Sequence, residues 1–323
     1  MRKTRSSRRK KKNMKKYMLI IPFLIVLIAS IYFLVNNKSQ DLLSKEDHTP
    51  TEEKENISSK VNSEESESKE LINEETNPNN KVDNAENIDS NDTVSDSVVN
   101  FWFGRNSSFT RPVSPLTEEM SKKYNSFYIG ENKKVIYLTF DEGLSTTFAS
   151  NNLDTLKKYN IKATFFLTKG FIELNPSLVN RMVNEGHICG NHTWNHKNMA
   201  ILAKNKKDEF VNELESTEEA FEKVTNKKMD KVLRFPEGTY SEKALLYANE
   251  LGYRSIFWSF AYKDWNANWN SKAEALKWMK TYYHPGAIYL LHGINKANSL
   301  ALDDFISYML SIGYTFDVPT NIP

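Results

Sequence analysis
Cysteine is almost missing from this chain: Cys189 stands alone among 323 residues. A single thiol excludes an intramolecular disulfide framework and any zinc site built from a cysteine cluster. Glycine and proline are scarce, at 11 and 10 residues, which excludes a collagen-like or Gly/Pro-rich polymer. Only 39% of the residues are hydrophobic, too few for a polytopic membrane protein. Aromatic residues are absent between Asn36 and Asn100. The chain also lacks a dominant charge, since 43 basic and 41 acidic residues leave a net of +2. That balance is an average over segments of opposite sign.

Residues 1–16 carry ten basic side chains and no acidic one. Residues 17–35, YMLIIPFLIVLIASIYFLV, carry no charge, and about 20 such residues cross the hydrocarbon core as a helix. The run is expected to be a transmembrane anchor. The basic flank keeps the N-terminus in the cytoplasm and sends the rest outside. A cleaved signal peptide is the competing reading, but the run is long for a signal core and no small-residue cleavage site closes it. A basic block beside a span already has a partner in the anionic membrane surface, so no nucleic acid is expected. Residues 36–100 hold 17 Asp/Glu against 6 Lys and few apolar residues. Such a segment buries too little to offset its ordering entropy, so it is expected to be a disordered acidic linker, extended by like charge. An acidic binding tail is the alternative there. Residues 101–323 contain all six Trp and are long enough for one substantial core. A monomer is expected.

Within 101–323, short apolar runs alternate with helical patterns. Strands are expected at 135–140, 163–168, around 188–189, and at 232–236, 254–260, 287–292 and 314–318. Helices are expected at 153–159, 177–186, 205–225, 241–252, 271–280 and 299–312. Ser241 reads as an N-cap and Gly252 as a C-cap. Near-continuous apolar strands joined by helices argue for a parallel sheet covered by helices. About six or seven such units favour a distorted (β/α) barrel over an open sheet, with chemistry at the C-terminal strand ends.

Polar clusters fall at those ends. Asp141 and Glu142 follow VIYLTF, Arg234 lies in VLRFPEG, Lys263-Asp264-Trp265 follows RSIFWSF, and His292 ends AIYLLH. Two adjacent carboxylates at a strand end, where the chain turns, can enter one cavity. Held close, they would repel unless a cation relieves the cost. A solvated turn with Asp141 as a helix N-cap is the bland alternative. His192 and His196, four apart in GNHTWNH, can share a metal from one face of a turn. By itself, such a pair is more often surface or packing.

Taken in order, these clusters resemble the polysaccharide deacetylase family, carbohydrate esterases with the NodB homology domain. Its T-F-D-D-G pattern stands as Thr139-Phe140-Asp141-Glu142-Gly143, and its H-[ST]-x-x-H pattern as His192-Thr193-Trp194-Asn195-His196. The arginine–proline–glycine region stands as Arg234-Phe235-Pro236-Glu237-Gly238, with shortened spacing. D-x-x-D-W stands as Ala261-Tyr262-Lys263-Asp264-Trp265, and L-x-L-x-H as Ile288-Tyr289-Leu290-Leu291-His292. Within the family the chain is similar to the δ-lactam-forming peptidoglycan N-acetylmuramic acid deacetylases of spore-formers. Supporting stretches are FWFG at 101–104 and FWSFAYKDW at 257–265. Three departures stand out: Glu142 for Asp, Ala261 for the first Asp of its motif, and Glu237 for an aromatic or basic residue.

The resemblance implies a metal-dependent hydrolase that removes N-acetyl groups from peptidoglycan sugars, most directly N-acetylmuramic acid on the route to muramic δ-lactam. It implies glycan strands as partners. It implies a divalent cation, with zinc favoured, on His192, His196 and Glu142. Asp141 would be the general base, oriented by Arg234. His292 would be the general acid, tuned by Asp264. The Glu237 backbone N–H would face the oxyanion, and Trp265 and Leu290 would wall the acetyl pocket. Trp194 and Trp269 are candidates for stacking on sugar rings. Two alternatives stay open: an N-acetylglucosamine deacetylase of wall glycan, and a non-catalytic glycan-binding module motivated by Glu142.

Overall fold
The computed structural model describes residues 94–144, 148–266 and 271–323. The basic segment, the 17–35 anchor, nearly all of the linker, and Trp269 lie outside the described residues. Among the described residues no helix is long and apolar enough to cross a membrane.

The described chain runs β1 (Val99–Asn100), α1 (Glu118–Tyr124), β2 (Ser126–Phe127), β3 (Val135–Glu142), α2 (Ala149–Lys158), β4 (Thr164–Leu167), α3 (Lys169–Leu174) and α4 (Pro176–Asn184). It continues with β5 (Ile188–Asn191), α5 (Met199–Asn205), α6 (Lys207–Thr225), β6 (Val232–Leu233), β7 (Thr239–Tyr240) and α7 (Glu242–Glu250). The last elements are β8 (Arg254–Ile256), α8 (Lys272–Thr281), β9 (Ala287–His292), α9 (Lys296–Ser311) and β10 (Thr315–Asp317). Side chains that accept from the third backbone N–H fix several helix starts: Thr117, Thr168, Asn198, Ser241, Ser271 and Asn295. The expected cap at Ser241 is one of them. Gly252, with φ +82°, follows α7 in the left-handed region expected for it.

The sheet is parallel, in the order β10-β3-β4-β5-β6-β8-β2, with β9 also paired to β3. Beyond β8, Phe260 bridges to Tyr289 of β9, so the sheet curls toward closure. The expected parallel α/β architecture is present, as a curled sheet rather than a uniform ring. Four expected strands are shorter than their apolar runs: 163–168 and 314–318 lose one residue at each end, 232–236 contracts to Val232–Leu233 and 254–260 to Arg254–Ile256. Beyond Leu233 and Ile256 the chain turns to build the site. A separate antiparallel pair joins β1 to β7, and the Ser95 carbonyl accepts from Lys243 N. Ordered packing therefore begins slightly before Phe101.

Strand β3 explains the layering. Ile136, Leu138 and Phe140 pack with Phe165, Leu291 and the helices in the main core. Tyr137, on the alternate face, packs with Phe166, Val232, Ile256 and Ile288 inside the curl. Period-two alternation carries that inner face on to Thr139 and Asp141. On it, Asp141 pairs in register with Phe166 of β4 and His292 of β9.

Candidate active site
Arg234 occupies the interior of the curl, fully buried. Its Nη1 donates to Asp141 Oδ1 (2.9 Å) and Thr139 Oγ1 (2.8 Å). Its Nε and Nη2 donate to the carbonyls of Ile256 (3.0 Å) and Phe257 (3.1 Å). The guanidinium lies 4.3 Å from the Phe166 ring centroid. A Cβ on Gly190 would strike Phe166 and Val232, so β5 has glycine where this layer is tightest. Burial lowers the Arg234 pKa and Asp141 opposes that, while guanidinium stays charged in proteins. Asp141 is thus held through one oxygen.

The other oxygen faces the paired histidines. His192 Nδ1 lies 2.9 Å from the Arg234 carbonyl. A carbonyl only accepts, so Nδ1 carries the proton and Nε2 keeps its lone pair, 3.7 Å from Asp141 Oδ2. Burial pushes His192 down to about 4, against the pull of Asp141, so the ring is neutral. His196 stands edge-on to it, with centroids 4.9 Å apart. This geometry comes from a strained turn: Thr193 and His196 have φ of +67° and +54°, unusual for side-chain-bearing residues. The turn is clamped by Glu213 of α6, whose carboxylate accepts from Asn195 N (2.7 Å) and Asn195 Nδ2 (3.0 Å) and pairs with Lys197 (3.2 Å). Reading the sequence did not single out Glu213. It looked like one polar residue of an amphipathic helix, yet it is buried.

His292 lies beside Asp141 across β3–β9. Its Nδ1 bonds Asp264 Oδ1 at 2.7 Å, and its backbone N–H donates to Asp264 Oδ2 at 2.9 Å. Asn298 Nδ2 also donates to Asp264, and Tyr262 OH to Asn298. Burial works against charge on His292. Asp264 overrides it, with help from Asp141 and Glu142, and the pKa is pushed up to about 9.

One cavity of about 910 Å³ is lined by Asp141, His192, His196, Glu237, Trp265, Leu290 and His292, together with Arg105, Trp258, Lys263 and Trp278. Glu237, with φ +57° in the turn Pro236–Gly238, lines the cavity. Trp265 stands edge-on to His292, at 6.4 Å. The turn expected after Phe140 does not occur there: β3 stays extended through Glu142. Strand alternation therefore sends the two carboxylates to opposite faces. Asp141 enters the cavity, whereas Glu142 is not among its lining residues and packs where a Cβ on Gly293 would fall.

Among the described residues no three His, Cys, Asp or Glu side chains cluster closely enough to hold a metal ion. Two imidazoles do converge, and the one facing Asp141 has its other nitrogen bonded to a carbonyl, the usual way a metal-ligating histidine is oriented. The two imidazoles supply two of the three protein ligands that a catalytic zinc site uses.

The polysaccharide deacetylase family model matches residues 129–256. The peptidoglycan-N-acetylmuramic acid deacetylase PdaA of Bacillus subtilis is 39% identical over 229 residues, spanning 70% of this chain and 86% of that protein. The chain belongs to the polysaccharide deacetylase family. The solved structure of Bacillus subtilis PdaA, a family 4 carbohydrate esterase, aligns with a TM-score of 0.68 at 38% identity, covering 71% of this chain and 98% of that one. A peptidoglycan-N-acetylglucosamine deacetylase of Bacillus cereus is 39% identical over 145 residues, 45% of this chain and 51% of that protein. The chain carries its polar groups where several strands end. Thr139 and Asn298 complete the hydrogen bonding of Arg234 and Asp264. Thr139 could have been noticed in the T-F-D run, whereas nothing local marks Asn298.

Proposed function
We propose that this polysaccharide deacetylase hydrolyses the N-acetyl group of N-acetylmuramic acid in peptidoglycan, on the route to muramic δ-lactam. The observation that carries the reading is one cavity lined by both an Arg234-held carboxylate and, on the neighbouring strand, an Asp264-held imidazole. Amide hydrolysis needs a proton acceptor and a proton donor on opposite sides of the scissile bond.

His192 and His196 are the residues that would hold a divalent cation, zinc in first place, which when bound polarises the acetyl carbonyl and the attacking water. With Glu142 off the cavity, the donors facing it are these two imidazoles. Asp141 Oδ2 takes the proton from water, and Arg234 keeps Asp141 Oδ1 engaged and the carboxylate oriented. The water oxygen bonds to the acetyl carbon. The Glu237 backbone N–H faces the oxygen that gains charge. His292 is protonated at neutral pH, since its pKa is about 9. As the carbon–nitrogen bond breaks, it gives its Nε2 proton to the sugar nitrogen. Acetate and a free sugar amine leave, and Asp264 stabilises the imidazolium before transfer. Trp265 and Leu290 wall the acetyl group.

The reading includes anchoring by residues 17–35 and a site outside the cytoplasm, as a monomer. The support is the basic block followed by an uncharged run. The test is acetate release from purified wall glycan, with mass spectrometry of the digested sugars. Wild type is expected to release acetate from muramic residues, and Asp141→Asn to stop release while circular dichroism stays unchanged. Turnover retained by Asp141→Asn refutes the base assignment. Loss of acetyl groups from glucosamine alone selects the glucosamine reading. Glycan binding without acetate release selects the non-catalytic one.

A further inference from the structure
The cavity wall holds a cation that the reaction as derived does not use. Arg105 extends from the N-terminal strap, and its guanidinium carbon lies 4.9 Å from the Trp278 ring centroid and 5.4 Å from those of Phe103 and Tyr282. It donates through Nη2 to the Ala261 carbonyl. No described carboxylate lies within 4.0 Å of it, although ion pairs are common elsewhere on the surface. Burial lowers its pKa, which Tyr282 partly offsets. A cation boxed by aromatic faces and without a counter-ion is prepared to receive an anion at its free edge. Lys263, two residues beyond Ala261, adds a second positive charge to the same cavity.

Position says which part of a substrate meets these charges. The segment 261–265 carries both the acceptor of Arg105 and Asp264, which holds His292. Resting on the deacetylase reading, His292 faces the departing sugar nitrogen; Arg105 and Lys263 line the same cavity and are assigned to the sugar, while Trp265 at the end of the segment walls the acetyl group. In N-acetylmuramic acid the carbon next to the amide-bearing one carries an O-lactyl group that ends in a carboxyl. N-acetylglucosamine has only a hydroxyl there.

We propose that Arg105, assisted by Lys263, is a specificity-determining residue that binds the lactyl carboxylate of the muramic residue undergoing deacetylation. The aromatic box fixes the guanidinium plane, so little side-chain entropy is lost on binding.

The test uses the full-length chain and three glycan fragments: one with free lactyl carboxylates, one with those groups reduced to alcohols, and one with them amidated by stem peptide. Wild type is expected to show a KM roughly tenfold to a hundredfold lower for the free carboxylate, as for one charge-assisted contact. Arg105→Met is expected to raise that KM to the level of the reduced fragment with kcat retained. Losing the guanidinium and losing the carboxylate are expected not to add, because each removes the same contact. Arg105→Lys keeps the charge and is expected to keep part of the preference, which separates binding from a folding defect. Equal losses on the free and reduced fragments would make Arg105 a structural staple and overturn the proposal. An Arg105-dependent preference for the peptide-bearing fragment would assign the contact to a peptide carboxylate and overturn it too. No acetate release by wild type from any of the three would instead remove the deacetylase reading, and this proposal with it.

Discussion
Replacing Asp264 by Asn tests the core of the acid assignment, because it removes a charge while keeping an acceptor for His292 Nδ1. In the native site burial alone would suppress the imidazolium, yet the pKa reaches about 9 because Asp264 lies 2.7 Å away. The other buried histidines show what burial does without a carboxylate in hydrogen-bond contact: His187 and His192, whose nearest carboxylates lie 3.9 and 3.7 Å away, and His284 are each pushed down to about 4. Asp264→Asn is thus expected to bring His292 to between its ordinary value and that level. At pH 7 the protonated fraction falls from nearly all to between about a quarter and about one in a thousand. Turnover at pH 7 is expected to fall between roughly fourfold and a thousandfold. The assay is kcat from pH 5 to 10, in which the alkaline limb moves from about 9 to below 7. Stability adds a second readout. His292 is raised on folding, so its contribution is fully present below pH 6.5 and is lost as pH rises through about 9. That contribution is roughly 3 kcal/mol, so the variant is expected to be much less stable than wild type at pH 6 and closer to it at pH 10. An alkaline limb that stays near 9 in Asp264→Asn refutes the assignment of His292 as the acid paired with Asp264.

Two further perturbations probe the scaffold. Arg234→Met leaves the Asp141 carboxylate buried without its cation and removes four hydrogen bonds, so chemical denaturation is expected to show a loss of about 3–5 kcal/mol. A loss below 1 kcal/mol would mean that the ion pair is dispensable to the interior. Glu213→Ala frees the turn that carries the histidines, and equilibrium dialysis with zinc is expected to show affinity weakened roughly tenfold to a hundredfold. Glu213→Gln keeps an acceptor for Asn195 and is expected to recover part of it. Unchanged zinc affinity in Glu213→Ala would exclude the clamp.

What the sequence determined by itself was local or ordinal. Apolar runs such as VIYLTF and AIYLLH marked central parallel strands because both faces of such strands are buried. The Ser241 cap could be read because capping depends on residues a turn away. The ordered motifs placed Asp141, His192, Arg234, Asp264 and His292 at strand ends, and a curled parallel sheet gathers such ends at one rim. Only the tertiary structure decided which way each side chain faces. Asp141 and Glu142 are neighbours in sequence, but β3 stays extended past Phe140, so alternation separates them. Glu213 and Asn298 lie on helices whose polar residues look solvated until packing buries them. Arg105 is separated by 156 residues from the carbonyl it contacts. Such contacts depend on where distant segments close on each other, which no local pattern of residues encodes.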